Sequence, residues 1–460
     1  MSALVDPGLF EDPTSLFTLL GKADHARLFA WRNGRGVRVR EFLGDVAHAA
    51  ALLPALGSAI NLCEDRYSFV VGFCAAASRG HATLLPSSRA PQAIAEVRQA
   101  YPGTYLIGDR QTCDAHAEMI RLPEFGCVTQ QPAINSVVIE VGQSQIAAIG
   151  FTSGSTGQPK PNIKTWGNFR IGSGLNIEVL TKTLGLAEGQ TANVLATVPA
   201  QHMYGMELSV LLPLFGPFSV HSGKPFFPAD IAAELASMPA PRILVTTPVH
   251  LQALLRESLT LPPIAAIVSA TAPLSRELAQ AAESRYQAPV IEMFGSTETC
   301  VIAHRFTANE VDWNTHASVE LSPQPDGTVV SAAHLSAPIQ LQDIVELRPG
   351  ARFALCGRNA DLLEIAGKRA SLADLTRRLQ SLDGVEDAVV FQLEAGSGSD
   401  VRRIAALAVA PGCSERELLA KLRHAIDPLF LPRPLRLVAR LPRNETGKLP
   451  REALLAAIST

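Results

Sequence analysis

The sequence predicts an α/β protein: a large N-terminal domain of layered, mainly parallel β-sheets with helices, and a small α+β C-terminal domain. Two observations carry this reading. Short apolar runs bounded by Gly, Pro or polar residues alternate with helical patterns through the first three-quarters of the chain. The last hundred residues change character, with amphipathic helices and strands around a loop of small residues. A chain of 460 residues is also too long for one small core and calls for two or three folding units.

Taken in order, "YSFVVGFCAAA" (67–77) reads as a buried strand or a helix segment. The runs "IAAIGFTSG" (146–154), "ANVLATVP" (192–199), "RILVTTP" (242–248) and "IAAIVSATAP" (264–273) read as buried strands. Between them lie the helical patterns "PADIAAELASM" (228–238) and "PVHLQALLRESL" (248–259). Such alternation gives parallel strands, at whose carboxyl ends ligands gather. In the C-terminal part "SLADLTRRLQSL" (371–382) and "SERELLAKLRHAI" (414–426) read as helices, the second capped by its Ser. "VEDAVVFQLE" (385–394) and "RRIAALAVA" (402–410) read as strands flanking "AGSGSD". The domain boundary falls near Gly357–Asp361.

Bulk properties exclude several classes. Hydrophobic content of 47% fits a well-buried globular protein, and a net charge of −3 without a long basic run gives no reason to expect nucleic acid. The seven cysteines (63, 74, 113, 127, 300, 356 and 413) are scattered and fit buried free thiols in a reducing compartment. The start of the chain lacks a basic segment followed by an apolar one, and the most apolar stretches are too short to span a bilayer. A soluble cytoplasmic protein without stable membrane insertion is expected.

The segment "FTSGSTGQPKP" (151–161) raises the question of chemistry. Its glycines let backbone amides turn towards a ligand, and its hydroxyls and lysine add donors for phosphate oxygens. It fails the P-loop pattern, because Gly157 is followed by Gln-Pro-Lys, which also removes a P-loop kinase from consideration. A surface linker of Gly and Ser is the plain alternative, and the core-like strand running into the segment argues against it.

This segment resembles the phosphate loop of the adenylate-forming superfamily of acyl-CoA synthetases, peptide-synthetase adenylation domains and luciferases, with Pro161 in place of the final Gly. Further motifs occur in the family's order, and the resemblance covers the chain from roughly residue 60 to the end. It implies that Thr152, Ser153, Gly154, Ser155, Thr156, Gly157 and Lys160 cradle the phosphates of ATP. "PAQHMYG" (199–205) would line the acid pocket with His202, Met203, Tyr204 and Gly205, joined by Ser269. "SATAPLS" (269–275) would flank adenine with Thr271, Ala272 and Pro273. In "EMFGSTET" (292–299), Glu292, Met293, Phe294, Gly295 and Ser296 would border the nucleotide, Thr297 would touch the α-phosphate and Glu298 would hold Mg²⁺. Asp343 in "LQDIVEL" would bind the ribose, with Arg358 in "GRNADLLEIAGKR" also at the nucleotide.

The resemblance also makes the C-terminal domain mobile. It implies an N-terminal ATP- and acid-binding domain over 1–357, a hinge at 358–361 and a lid over 362–460. Lys448 in "LPRNETGKLPRE" would bridge carboxylate and α-phosphate, and in a second pose the loop around Gly367 would meet the thiol tunnel. The hinge departs from the family pattern, with Ala360 and Glu364 where Asp or Lys and Lys are usual. Each residue also has a plain alternative: His202 and Tyr204 as a polar pair, Glu298 as a solvated helix start, Lys448 as an exposed lysine, Asp343 and Arg358 as an ion pair.

The implied reaction is attack of a carboxylate on the α-phosphate of ATP, giving an acyl-adenylate and pyrophosphate, then capture of the acyl group by a thiol. Positioning and charge neutralisation dominate such an in-line displacement. The pocket segment "HMYGMELS" has no Asp to grip an α-amino group, and its Met203 and Tyr204 offer an aromatic, polarizable wall suited to an aryl acid. The segments "NLCEDRYSFVVGF" (61–73) and "LLPSSRAP" (84–91) look similar to ligases of bacterial aryl-polyene pigment pathways, which implies a hydroxybenzoate and an acyl carrier protein. The basic residues between Lys421 and Arg451 suit either an acidic carrier protein or the phosphates of coenzyme A. An aryl- or fatty acyl-CoA synthetase, and a catalytically silent nucleotide-binding paralogue, stand as alternatives.

Overall fold

The computed structural model describes residues 15–21, 24–86, 89–112, 118–125, 138–153, 159–358, 362–365, 368–393, 404–426, 430–444 and 447–459. The chain forms two compact units: Met1–Glu310 with His316–Val319 and Ala332–Ala337, and Val311–Thr315 with Glu320–Ser331 and Pro338–Thr460.

The N-terminal unit is built on two layered sheets. In the larger, the order runs Cys300–Phe306, Val290–Ser296, Ala266–Ser269, Arg242–Thr246, Ala192–Ala196, Phe218–His221, Leu28–Arg32, Arg35–Arg38. These are eight of the eleven strands of that sheet; the six inner ones of the eight pair in parallel, and Cys300–Phe306 and Arg35–Arg38 pair antiparallel to their neighbours. The four central strands, Ala192–Ala196, Phe218–His221, Arg242–Thr246 and Ala266–Ser269, are buried along nearly their whole length, which is why they read as apolar runs. The second sheet orders Pro159–Thr165, Ile146–Ser153, Thr83–Leu85, Ser58–Asn61, Thr104–Gly108 and Ile120–Arg121. Helices Pro228–Ala236 and Pro248–Arg256 form where the pattern places them, each starting on its Pro.

The ambiguous run at 67–77 is helical, Arg66–Ser78, with Asp65 accepting the amide of Ser68 as its cap. Twelve of its thirteen residues are buried, so it has no polar face and its period is invisible. Arg66 opens it with its guanidinium buried, donating to the carbonyls of Ala196 (2.9 Å) and Val198 (2.6 Å). A six-residue π-helix, Met206–Leu211, is continued by the short helix Leu212–Phe215.

The C-terminal unit takes in the antiparallel strands Asp343–Arg348 and Arg352–Arg358 as well as the chain beyond them. Its last part is an α+β module with its own core, including Leu375, Leu379, Ala406, Leu418 and Leu422. Strands Asp387–Gln392 and Ile404–Val409 pair antiparallel, and Leu435–Leu437 adds in parallel. Helices Leu372–Gln380 and Glu415–Ala425 lie where the sequence puts them, and Ser414 caps the second in a reciprocal box with Glu417. The expected hinge residues 359–361 lie outside the described residues. Among the described cysteines Cys63, Cys74 and Cys300 are buried, but Cys356 is exposed, on the strand Arg352–Arg358. Among the described residues no helix is long and apolar enough to cross a membrane.

Candidate active site

Four neighbouring parallel strands of the large sheet, Ala192–Ala196, Arg242–Thr246, Ala266–Ser269 and Val290–Ser296, open at their carboxyl ends into the segments the sequence singles out. The first leads to His202–Gly205, the third to Thr271–Pro273 and the fourth to Thr297 and Glu298. The hydroxyl of Tyr204 ties two of these ends together, sharing its hydrogen between the carbonyls of Thr246 (3.1 Å) and Val268 (3.0 Å). The hydrogen of the Tyr204 hydroxyl is thus committed to the backbone of the sheet. His202 is half-buried, Met203 is buried, and Ser269 is fully buried with no hydrogen bond from its hydroxyl among the described residues. Thr271 turns the chain with φ of 79°.

The phosphate segment is the connection of a hairpin. Strand Ile146–Ser153 pairs antiparallel with Pro159–Thr165, setting Lys160 opposite Thr152 and Pro161 opposite Phe151. Pro161 lies on an edge strand, where a missing N–H is tolerated. Lys160 is exposed, and Asn162 donates to the hydroxyl of Thr152 (3.3 Å). Gly154, Ser155, Thr156 and Gly157 lie outside the described residues, as does the side chain of Ser153. Gly150 shows how close the parts come: a methyl placed on it would sit 3.0 Å from the Thr297 methyl and 3.7 Å from Cε of Met203. The strand leading into residues 154–158, Met203 and the turn at Thr297 thus meet at one point.

Thr297 and Glu298 are displayed, half-buried, by a self-closed turn. The amide of Ser296 donates to Oγ1 of Thr299 and the amide of Thr299 to Oγ of Ser296, both at 3.1 Å. A bulge at Gly295, where a side chain would strike the Cys300 carbonyl, and a positive φ of 59° at Cys300 bring the chain back into its strand. Glu292 is turned away from the turn: its carboxylate accepts from Arg305 (2.8 Å), Thr307 (2.7 Å) and the amide of Leu274 (3.0 Å). Met293 is buried, and Phe294 and Ser296 are half-buried.

The sequence reading missed the groups beneath the turn. Lys164, 4% exposed, donates from Nζ to the carbonyl of Glu298. Nε2 of His334 donates to the carbonyl of Thr299 (2.9 Å), because a carbonyl can only accept. Glu207, in the π-helix, accepts the amide of Val301 (3.1 Å) and an N–H of Asn176 (3.1 Å). Burial pushes the Glu207 carboxyl up to about 7 against the pull of these donors and of Lys164, while burial pushes His334 below its ordinary value. One signal for Glu207 was present, a lone acid in the apolar run "MYGMELSVLL". Lys164 carried none.

In the C-terminal unit, Asp343 is buried, its carbonyl accepts from Thr328 (2.7 Å), and it stands opposite Arg358 in the strand register. The Arg358 side chain and Gly367 lie outside the described residues. Lys448 is exposed at the end of a tight turn: its amide donates to Oδ1 of Asn444 (2.9 Å) and its carbonyl accepts from Asn444 (2.8 Å). Arg443 fastens that turn, reaching the Gly447 carbonyl (2.9 Å) and both carboxylate oxygens of Asp387 (2.9 and 3.0 Å).

The hairpin of the second sheet and the segments His202–Gly205 and Thr297–Glu298 at the carboxyl ends of the large sheet come together as in an α/β enzyme that binds its ligand at strand ends. Residues 53–330 match the AMP-binding enzyme family, and the chain belongs to that family. It is 29% identical over 310 residues to 4-coumarate–CoA ligase of Halorhodospira halophila, covering 65% of this chain and 73% of that one. It is 24% identical over 371 residues to 2-succinylbenzoate–CoA ligase of Staphylococcus epidermidis, covering 74% and 76%. The fold matches o-succinylbenzoate CoA synthetase from Bacillus subtilis in complex with its acyl-adenylate, with a TM-score of 0.77, 19% identity, and 93% and 95% of the two chains covered. The protein is an ATP-dependent, AMP-forming acid–thiol ligase.

Proposed function

We propose that this ligase activates an aryl acid such as a hydroxybenzoate and transfers it to the phosphopantetheine thiol of an acyl carrier protein. The observation that carries the acid is the meeting of Met203, Gly150 and Thr297, which would set an acid lying along the Tyr204 ring beside the α-phosphate position. Two relatives whose names give aromatic acids, 4-coumarate and 2-succinylbenzoate, support the same reading. Thr297 would contact the α-phosphate, Glu298 would hold Mg²⁺, and Lys448 would neutralise the charge that builds between carboxylate and phosphate. One half-buried carboxylate suits Mg²⁺, which keeps several waters and binds through one or two carboxylates plus substrate phosphates. Bound there, the ion would neutralise phosphate charge.

For the acceptor, the basic run from Lys421 to Arg451 supports a carrier protein. The relatives named as CoA ligases favour a second reading, coenzyme A as acceptor. The test is pyrophosphate exchange into ATP over benzoates, cinnamates, fatty acids and amino acids, then thioester formation with coenzyme A against a phosphopantetheinylated carrier protein. Exchange with fatty acids alone removes the aryl reading. Turnover with coenzyme A and none with any carrier protein removes the carrier reading.

A further inference from the structure

Three side chains from three different elements converge on the backbone directly after Glu298. Lys164 comes from the strand leaving the phosphate hairpin, Glu207 from the π-helix, and His334 from the segment Ala332–Ala337. Lys164 takes the carbonyl of Glu298, His334 the carbonyl of Thr299, and Glu207 the amide of Val301. All three are at least nine-tenths buried. A lysine and a glutamate held out of water are expensive, and a fold keeps them where backbone groups would otherwise stand unpaired or a geometry must be fixed. Helix Trp166–Leu184 supports the same cluster from behind: Asn176 donates to Glu207, and Gly172 lies against the His334 ring, 3.6 Å from where its side chain would begin.

We propose that Lys164, Glu207 and His334 are positioning residues that clamp the turn carrying Thr297 and Glu298, and that Lys164 couples this turn to the phosphate hairpin. The inference rests on the roles given above to Thr297 and Glu298. Lys164 lies four residues after Lys160 on one strand, so the arm that leaves the phosphate loop and the turn that displays the metal carboxylate are joined by a single hydrogen bond. A shift of the hairpin moves the Glu298 carbonyl with it. Glu207, by taking the Val301 amide, fixes the other end of the same short stretch. Groups that act one step behind a metal ligand typically contribute 10- to 100-fold in metal affinity or activity.

The test compares Lys164→Met, Glu207→Gln and the double variant in the full chain. The double variant removes both buried ionisable groups, and the fold of each variant is checked by circular dichroism and thermal melt. Binding of Mn²⁺ in the presence of a non-hydrolysable ATP analogue is read by electron paramagnetic resonance, and pyrophosphate exchange is titrated with Mg²⁺. Clamping requires a Mn²⁺ Kd raised about 10-fold or more in the double variant and a matching rise in half-saturating Mg²⁺. The KM for the acid stays within about twofold, since the clamp acts on the turn that holds the metal. Wild-type Mn²⁺ affinity in a folded double variant overturns the proposal, as does a loss confined to the KM of the acid. If wild-type protein binds Mn²⁺ with the analogue yet exchanges pyrophosphate with no acid, the functional reading fails while the clamp is still decided by the resonance titration.

Discussion

Burial raises the Glu207 carboxyl well above its ordinary value, and Glu207→Gln turns that into a measurement. Its value rises from 4.5 to about 7, burial being the largest cause, opposed by the Val301 amide, Asn176 and Lys164. Between pH 4.5 and about 7 the folded protein holds a proton there that the unfolded chain has lost. Stability from this group is therefore fully present below pH 4.5 and falls as pH rises towards 7. At about 1.36 kcal/mol per pH unit the fall is about 3 kcal/mol. Gln does not titrate, so the stability of the variant relative to wild type grows by about 3 kcal/mol from about pH 4.5 to about pH 7.5. For a cooperative unit of about 300 residues that is about 5 °C in relative Tm. Thermal melts followed by tryptophan fluorescence read it, with Trp31 and Trp166 reporting on the N-terminal unit. A relative Tm that is flat across the range refutes the desolvation argument. One that falls with pH shows that the Lys164 charge, not burial, governs Glu207.

The geometry gives two more expected outcomes. Lys448→Ala abolishes pyrophosphate exchange but leaves conversion of supplied acyl-adenylate to thioester within about threefold, each half-reaction assayed separately; equal loss in both would remove the two-pose cycle. Gly150→Ala drives a methyl to 3.0 Å from the Thr297 methyl, and the displaced turn costs about 10- to 100-fold in exchange, read as kcat/KM for ATP. A wild-type rate in that variant shows that Thr297 does not act where the structure sets it.

How far the sequence could be read depended on what each residue does with its side chain. Parallel strands buried on both faces announced themselves as apolar runs, and the C-terminal helices through their period and the Ser414 cap. The helix Arg66–Ser78 could not, because twelve buried residues leave no polar stripe. Motif residues were legible because they are displayed on turns at strand ends, where small and polar residues break an apolar run. Lys164 was not, and the strand Pro159–Thr165 shows why. Its apolar Ile163 is 54% exposed while Lys164 beside it is buried, the reverse of what alternation teaches. Glu292 was legible as part of its motif but not in its role, since its partners Arg305 and Thr307 lie on the neighbouring strand and beyond.

The two kinds of residue divide the work, and the division has an energetic logic. On the proposed reading the turn at Thr297 and Glu298 meets phosphate and metal with its polar groups free, so it cannot be held by burying its own side chains. Its backbone has to be held instead, from below, by donors and acceptors strong enough to fix carbonyls and amides in place. A neutral apolar floor would pack as well as Lys164 and Glu207, without the cost of taking two ionisable groups out of water. Such a floor would leave the Glu298 carbonyl and the Val301 amide without partners, and the turn free to settle elsewhere. The raised Glu207 carboxyl fits that reading, since the burial that raises it also sets its oxygens on the Val301 amide.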